Sequence, residues 1–413
     1  MADSNILALY IWILMGSLTT IVSSRNIWDR TRLHKSLIDQ GYDTTVYPGS
    51  TDSPLQVSIQ FSLAAFNDFD ENAGRFAVTG FLIVEWRDER IAWDPNDFGQ
   101  ISSILFPQSR VWIPNIVVWN TYDRVRPFGF DTLPVRYNHS GDALWEPGNL
   151  FQTSCDAQIK KFPFDEQTCT IDILPYGYME DEINITAAGF DLSDYNKNGL
   201  WNIISTDISG VQRNSRAEKK LMIEIKFNRR SSYHVIHILV PMLVMSILNI
   251  LIFIIPVDGS NRIDYAVTML LTLSVFLTVV TDTLPSASLP DISYLSVLVL
   301  VQMMSSSLMV ACAVVSLCLG SHSTLCLQIM TSVLKPFMCF VTVPESGKPQ
   351  LPNPDSKLES PDSGNDNDSN RNEHLMETQF KSISKLFDYL CIFFFLLEVI
   401  IANLVFFVAT NIP

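Results

Sequence analysis

Apolar and polar positions follow two different periods along the chain. From Arg25 to Arg230, short β-branched and aromatic runs alternate with Gly, Pro, Asn and Asp turns, and beyond a short helix around Ile27 to Ile38 no long stretch keeps a 3.6-residue period. That pattern predicts an antiparallel, immunoglobulin-like β-sandwich of about 200 residues with an N-terminal helix. Four later segments are predominantly apolar: Val235–Val257, Ile263–Val280, Ile292–Leu319 and Leu386–Ala409. Each is near the ~20 residues that a bilayer crossing needs, so they predict a four-helix transmembrane bundle.

Between the third and fourth of these segments, Val343 to Glu373 is rich in Pro, Ser, Asn and Asp and is expected to be disordered, because it has too little apolar surface to offset ordering entropy. The flanking Thr324–Phe340 and Leu375–Phe387 have amphipathic spacing and are expected to lie along the inner face or to extend the fourth helix inward. At the other end, the apolar run Ile6 to Val22 followed by Val22-Ser23-Ser24 predicts a signal peptide over residues 1–24, with an uncleaved anchor as the alternative because the basic n-region is missing. The expected organisation is then residues 25–232 outside the membrane, 233–318 as helices one to three, 319–385 as an intracellular loop, and 386–413 as the fourth helix with a short extracellular end.

Composition agrees with a mixed chain. A mean hydropathy of +0.20 over 413 residues is too apolar for an ordinary soluble protein and too polar for one wholly embedded. The formal net charge of -15 argues against nucleic acid as a partner. Of seven cysteines, only Cys155 and Cys169 lie in the exported half, so they are expected to pair, whereas Cys312, Cys318, Cys326, Cys339 and Cys391 are expected to stay reduced. Asn138-His-Ser and Asn184-Ile-Thr are glycan acceptor sequons on the exported side. No Ser-His-Asp arrangement or metal-ligand spacing stands out in Arg25 to Arg230, so an ectoenzyme has little support and neither cofactor nor metal is expected.

The segment CDAQIKKFPFDEQTC places thirteen residues between Cys155 and Cys169 with Phe-Pro-Phe-Asp inside. Trp86-Arg-Asp88, Trp112-Ile-Pro114 followed by Trp119-Asn120, Pro241 in the first span and LLTLSVFL in the second accompany it. Together these resemble the Cys-loop receptors, the eukaryotic pentameric ligand-gated ion channels, over nearly the whole chain. The resemblance implies a subunit that assembles with four others, as homopentamer or heteropentamer, around a central pore lined by the second span. It implies a multi-pass protein of the plasma membrane, synaptic in many members, with an extracellular N-terminus, in contact with membrane lipid and gated by an unidentified small-molecule agonist.

On a helical wheel, Asp264, Thr268, Leu271, Val275, Thr278 and Asp282 follow steps of four and three and share one face. In a pentamer this face would set a carboxylate ring at either end, ~27 Å apart at ~1.5 Å per residue, with an apolar girdle at Leu271 and Val275 between. Carboxylate rings favour permeant cations. The Pro-Ala insertion that family anion channels carry before the pore helix is absent from Asp258-Gly-Ser-Asn261-Arg262, and the acid that nicotinic members place before the basic residue has moved inward to Asp264. Asp264 pointing to headgroups is the alternative.

The resemblance also maps an agonist box onto Phe81, Trp119 and Tyr176, with Tyr178 close by, although each of these aromatics is equally compatible with packing. The capping loop Ser209 to Lys220, SGVQRNSRAEKK, has no aromatic residue; Arg213, Arg216, Lys219 and Lys220 there suit an anionic ligand or a solvated loop. For coupling, the resemblance points to Asp70, Glu71 and Asn72, to the turn Phe162-Pro163-Phe164-Asp165, and to Arg229, above the linker Leu284–Pro290, with a buried Glu71–Arg229 ion pair expected. His234 and His237 are expected to pack at the interface, and Glu398 to turn inward toward Asn249 or Ser305 to Ser307. The function expected is a cation channel opened by an extracellular stimulus; a non-conducting accessory subunit, or gating by protons or lipid, are the alternatives.

Overall fold

A computed structural model describes residues 27–39, 41–50, 53–213, 218–256, 261–283, 292–320 and 366–411. The expected signal peptide, the linker Leu284–Pro290, the helix expected over Thr324–Phe340 and residues 343–365 lie outside them. The chain forms two compact units, one containing the sequence up to Gln158 with Asp165–Arg230, the other Ile159–Phe164 with Ser231 onward.

The first unit opens with α1, residues 27–38, which buries Leu33 completely. Eleven strands follow: β1 (Leu55–Asp70), β2 (Arg75–Arg87), β3 (Ser103–Pro107), β4 (Ile116–Val118), β5 (Pro134–Asn138), β6 (Asp142–Trp145), β7 (Gly148–Ser154), β8 (Glu166–Pro175), β9 (Ile183–Asp191), β10 (Trp201–Arg213) and β11 (Glu218–Arg229). One sheet has the order β3-β5-β6-β2-β1-β9 with β7 also on β2; the other is β10-β11-β8-β4. The pairing departs from the all-antiparallel expectation at β1–β9, which run parallel from Leu55↔Ile183. The chain leaves β8 in one sheet and enters β9 in the other, a crossover rather than a hairpin, so alternation of direction is not imposed there.

Period-two alternation turns Leu55, Val57, Ile59 and Phe61 of β1 into the core against Phe76, Val78, Leu82 and Val84 of β2. Bulges between Leu63 and Ala65 and between Phe66 and Asp68 shift the register and bring Phe66 and Phe69 inward, where they meet Phe76, Trp201 and Phe227 ring to ring. Gly80 is required by close approach: a Cβ there would lie 2.8 Å from the Ser62 carbonyl and 2.6 Å from the Phe61 ring. The Trp86-Arg-Asp88 motif is structural. Asp88 is fully buried and accepts from Arg90 Nε and Nη2 and from the Tyr42 hydroxyl, each at 2.8 Å, while the Tyr42 oxygen accepts from Trp112 N at 2.9 Å. Burial in this network raises the Tyr42 hydroxyl well above the ordinary phenol range.

The second unit is helical: α2 (Ser232–Phe253), α3 (Asn261–Thr283), α4 (Tyr294–Gly320) and α5 (Asp366–Asn411), four helices that, among the described residues, are long and apolar enough to cross a membrane. In α2 a π turn at Val235–Leu239 ends two residues before Pro241, whose ring nitrogen has no hydrogen to give the His237 carbonyl. The membrane-length part of α5, Lys381–Thr410, starts earlier than expected, and the helix continues back to Asp366, so the expected disorder does not extend over Asp366–Glu373. Adding a residue to an existing helix costs far less than nucleating one, and acids favour a helix N-terminus. Cys312 and Cys391 are free thiols, but Cys318, expected reduced, is disulfide-bonded. The compartment argument concerns the redox environment and not which sulfurs the fold brings together.

Candidate functional site

On α3 all six residues of the predicted polar face are exposed in the single chain, with Leu271 63% and Val275 57% accessible. The side that packs against the other helices is Arg262, Ala266, Leu273 and Val280, at intervals of four and seven. Hydroxyls on the exposed side are tied to the helix itself: Thr268 Oγ1 donates to Asp264 O at 2.6 Å, Thr272 Oγ1 to Thr268 O at 2.7 Å and Thr278 Oγ1 to Val275 O at 2.7 Å. Their lone pairs remain turned outward, so the face offers water polar contacts without loose side chains.

Arg262, two residues before Asp264 at the start of this face, is fully buried. Its guanidinium is bidentate to Asp388 of α5 at 2.6 and 3.1 Å, reaches Ser316 Oγ of α4 at 3.3 Å, and lies 5.3 Å from the Phe253 ring centre. Ser316 Oγ donates to Asp388 at 2.7 Å, and Ser384 Oγ to Ser316 O at 3.0 Å. The positive charge beside the helix start is therefore neutralised inside the bundle, and the Asp264 side chain lies on the exposed side. Asp388 was missed in the sequence. Its signal is an acid one turn inside an apolar helix, which requires a cationic partner.

The expected coupling residues split between the two units. In the first, Arg229 Nε and Nη2 bind Asp165 at 2.8 and 3.1 Å, Nη2 also binds Glu71, and the guanidinium stacks 4.3 Å above the Trp201 ring. Asp165, whose side chain is fully buried, also accepts from Gln167 Nε2 at 2.7 Å. The ion pair expected between Glu71 and Arg229 is present, but the main counter-ion is Asp165. Burial works against the Arg229 charge, and the hydrogen bonds and charge of Asp165, with those of Glu71, outweigh it, so its pKa is raised.

In the second unit, Phe162 is 1% exposed in a core cluster with Ile238 and Met242 of α2, Val280 of α3, Leu295 of α4 and Phe406 of α5. It meets the His234 ring at 5.0 Å, Tyr294 N donates to the Lys160 carbonyl at 3.0 Å, and the Phe162–Pro163 peptide is cis. His237 packs on Tyr233 at 4.4 Å. The tip of the loop closed by the Cys155–Cys169 disulfide, Cα atoms 5.5 Å apart, is thus built into the helical unit while its ends belong to the sandwich.

Within one chain the aromatic positions do not form one box. Phe81, 46% exposed, sits on β2 over Gly148 of β7, in the first sheet; Trp119 and Tyr176, 41% and 53% exposed, flank the β4–β8 pair of the second. Tyr178 packs against Trp112 and Tyr47 at the edge of the core. In the capping hairpin, Arg216 lies outside the described residues; Lys220 Nζ pairs with Asp172 at 2.7 Å and Lys219 Nζ donates to Asn184 Oδ1 at 3.1 Å. These two lysines already have protein partners. Asn184 also donates to Gln56 at 2.8 Å, and Asn138 closes the β5–β6 turn by donating to Asp142 at 2.8 Å and accepting from Ser140 Oγ at 2.8 Å.

Residues 30–231 match the family model described as the neurotransmitter-gated ion-channel ligand binding domain. The chain is 29% identical over 285 residues to the acetylcholine receptor subunit beta-type unc-29 of Caenorhabditis elegans, covering 67% of this chain and 57% of that protein. It is 29% identical over 239 residues to the acetylcholine receptor subunit beta-type acr-2 of the same organism, 57% and 41% of the two chains. To the neuronal acetylcholine receptor subunit beta-2 of Rattus norvegicus it is 27% identical over 298 residues, 69% and 57% of the two chains. The chain thus spans about half the length of the relatives it matches.

Proposed function

The chain belongs to the Cys-loop receptor family of pentameric ligand-gated ion channels, which are not enzymes, and on that premise we propose that it is a channel subunit conducting cations through a pore lined by α3. The observation that carries cation selectivity is the pairing of exposed Asp264 and Asp282 on one helix face with a neighbouring Arg262 whose charge is neutralised by Asp388. Of the charges at the inner end of that face, the carboxylate is the one left for ions to meet. Residues 25–232 form the extracellular part, 233–318 and 386–413 the membrane part, and 319–385 the intracellular loop of a plasma-membrane receptor.

The agonist site lies between subunits. Trp119 and Tyr176 border one sheet and Phe81 the other, so one chain supplies two half-sites that neighbouring copies or different subunits complete. Acetylcholine, the ligand in the relatives' names, is the first candidate. Because the capping hairpin carries no aromatic side chain, a heteromer in which another subunit contributes the cap fits this chain better than a homomer.

Leu271→Thr, made to wet the girdle and give current without a known agonist, tests the reading in oocytes. Reversal potentials should follow sodium and potassium gradients, and adding Asp264→Asn should alter cation selectivity or divalent block. A reversal potential that follows chloride overturns cation selectivity. Unchanged selectivity and block in Asp264→Asn removes Asp264 as the filter.

A further inference from the structure

We propose that the helical unit holds one buried water molecule at a polar site between its four helices, with Gln302 and Glu398 as principal partners. A cavity of about 20 Å³ there is lined by Asn249 of α2, Leu273 of α3, Gln302, Ser305 and Met309 of α4, and Glu398 of α5. Gln302 is 6% exposed, and neither atom of its carboxamide has a hydrogen-bond partner among the described protein groups. That group carries two donor hydrogens and an acceptor oxygen, and hydrocarbon supplies a partner for none of them.

The opposite wall offers complementary chemistry. Ser305 Oγ donates to Glu398 Oε2, and a carboxylate can accept further hydrogens. Ser246 Oγ, on the α2 side, donates to the Met242 carbonyl at 2.8 Å and keeps its lone pairs for a donor from the cavity. A water accepting from Gln302 Nε2 and donating to Glu398 gives the amide nitrogen the partner it lacks and the carboxylate a further hydrogen bond. A buried water requires about 10–15 Å³ and two to four polar partners, and this site provides both while leaving no room for a larger guest. Arg262 Nε and Ser306 Oγ are also buried without a partner among the described protein groups, but neither residue lines this cavity, and Gln302 is the side chain in which both the donor and the acceptor atoms lack one.

Glu398 also lines a wide apolar groove between α4 and α5. The carboxylate therefore separates the water from the lipid-facing side and fastens α5, through the water, to the interior of the bundle. This assignment requires only that the helices span a membrane and does not depend on ion selectivity.

The test is X-ray radiolytic footprinting of the full-length protein in lipid nanodiscs, in which radicals formed from a resident water oxidise the nearest side chains. Met309 is 2% exposed and lines the cavity, while Met304, 73% exposed in the single chain and outside the cavity lining, is the reference on the same helix. Met309 should form sulfoxide more than about threefold faster than Met304, and Gln302→Leu should lower the Met309 rate by a similar factor without changing Met304. A smaller ratio in the unmodified protein overturns the proposal, as does a Met309 rate that Gln302→Leu leaves unchanged. Gln302→Met, closer in volume, replaces Gln302→Leu if that variant does not assemble, and the wild-type ratio decides on its own.

Discussion

Removing the carboxylate of Asp388 strands a buried charge in the helical bundle. Arg262 is 0% exposed and the Asp388 side chain 9%, with bonds of 2.6 and 3.1 Å between them. In Asp388→Leu the guanidinium keeps only the 3.3 Å contact to Ser316 and the Phe253 ring. Breaking a buried pair on one side costs about 3–5 kcal/mol. At about 2–4 °C per kcal/mol for a unit of this size, the melting midpoint should fall by roughly 6–20 °C. Replacing both partners, Arg262→Met with Asp388→Leu, removes the stranded charge, and the double variant should recover most of that loss. The assay is the fraction of assembled protein surviving a heating series at one fixed rate, read by fluorescence size-exclusion. A fall of less than about 2 °C in Asp388→Leu, or a double variant no more stable than that single one, refutes the argument.

Three further outcomes follow from the same geometry. Asp165→Asn should destabilise the protein by about 3 kcal/mol or more, and Glu71→Gln by about 1 kcal/mol or less, because Asp165 is the buried bidentate partner of Arg229 and Glu71 the more accessible one; thermal melts that reverse this order contradict the assignment. Phe162→Ala should cost about 3–5 kcal/mol of stability in the helical unit, since the ring is 1% exposed among four helices, and a melt unchanged by it would place the side chain outside that core. Ser140→Ala and Thr186→Ala should each remove one glycan step from the gel mobility of the expressed protein. Ser140→Ala is preferable to Asn138→Gln because Asn138 itself closes the β5–β6 turn, and unaltered mobility would show that site unused.

What was legible in the sequence was whatever depends on local period and spacing. Helix length and apolarity located the four spans to within a few residues, apart from the earlier start of the fourth, and steps of four and three put Asp264, Thr268, Leu271, Val275, Thr278 and Asp282 on one face, where the structure leaves them exposed. The Cys155–Cys169 bond followed from both residues lying in the exported half, and the structure contains it. Tertiary structure alone decided the partners. Asp388 meets Arg262 across 126 positions, Asp165 displaces Glu71 as the main counter-ion of Arg229, β9 joins β1 in parallel, and the tip of the disulfide loop enters the helical core. A repeat along a helix or strand is set by backbone geometry and shows itself in any short window. The choice of which distant charge or ring fills a buried site is set by the packing of several elements at once, and no window of sequence contains it.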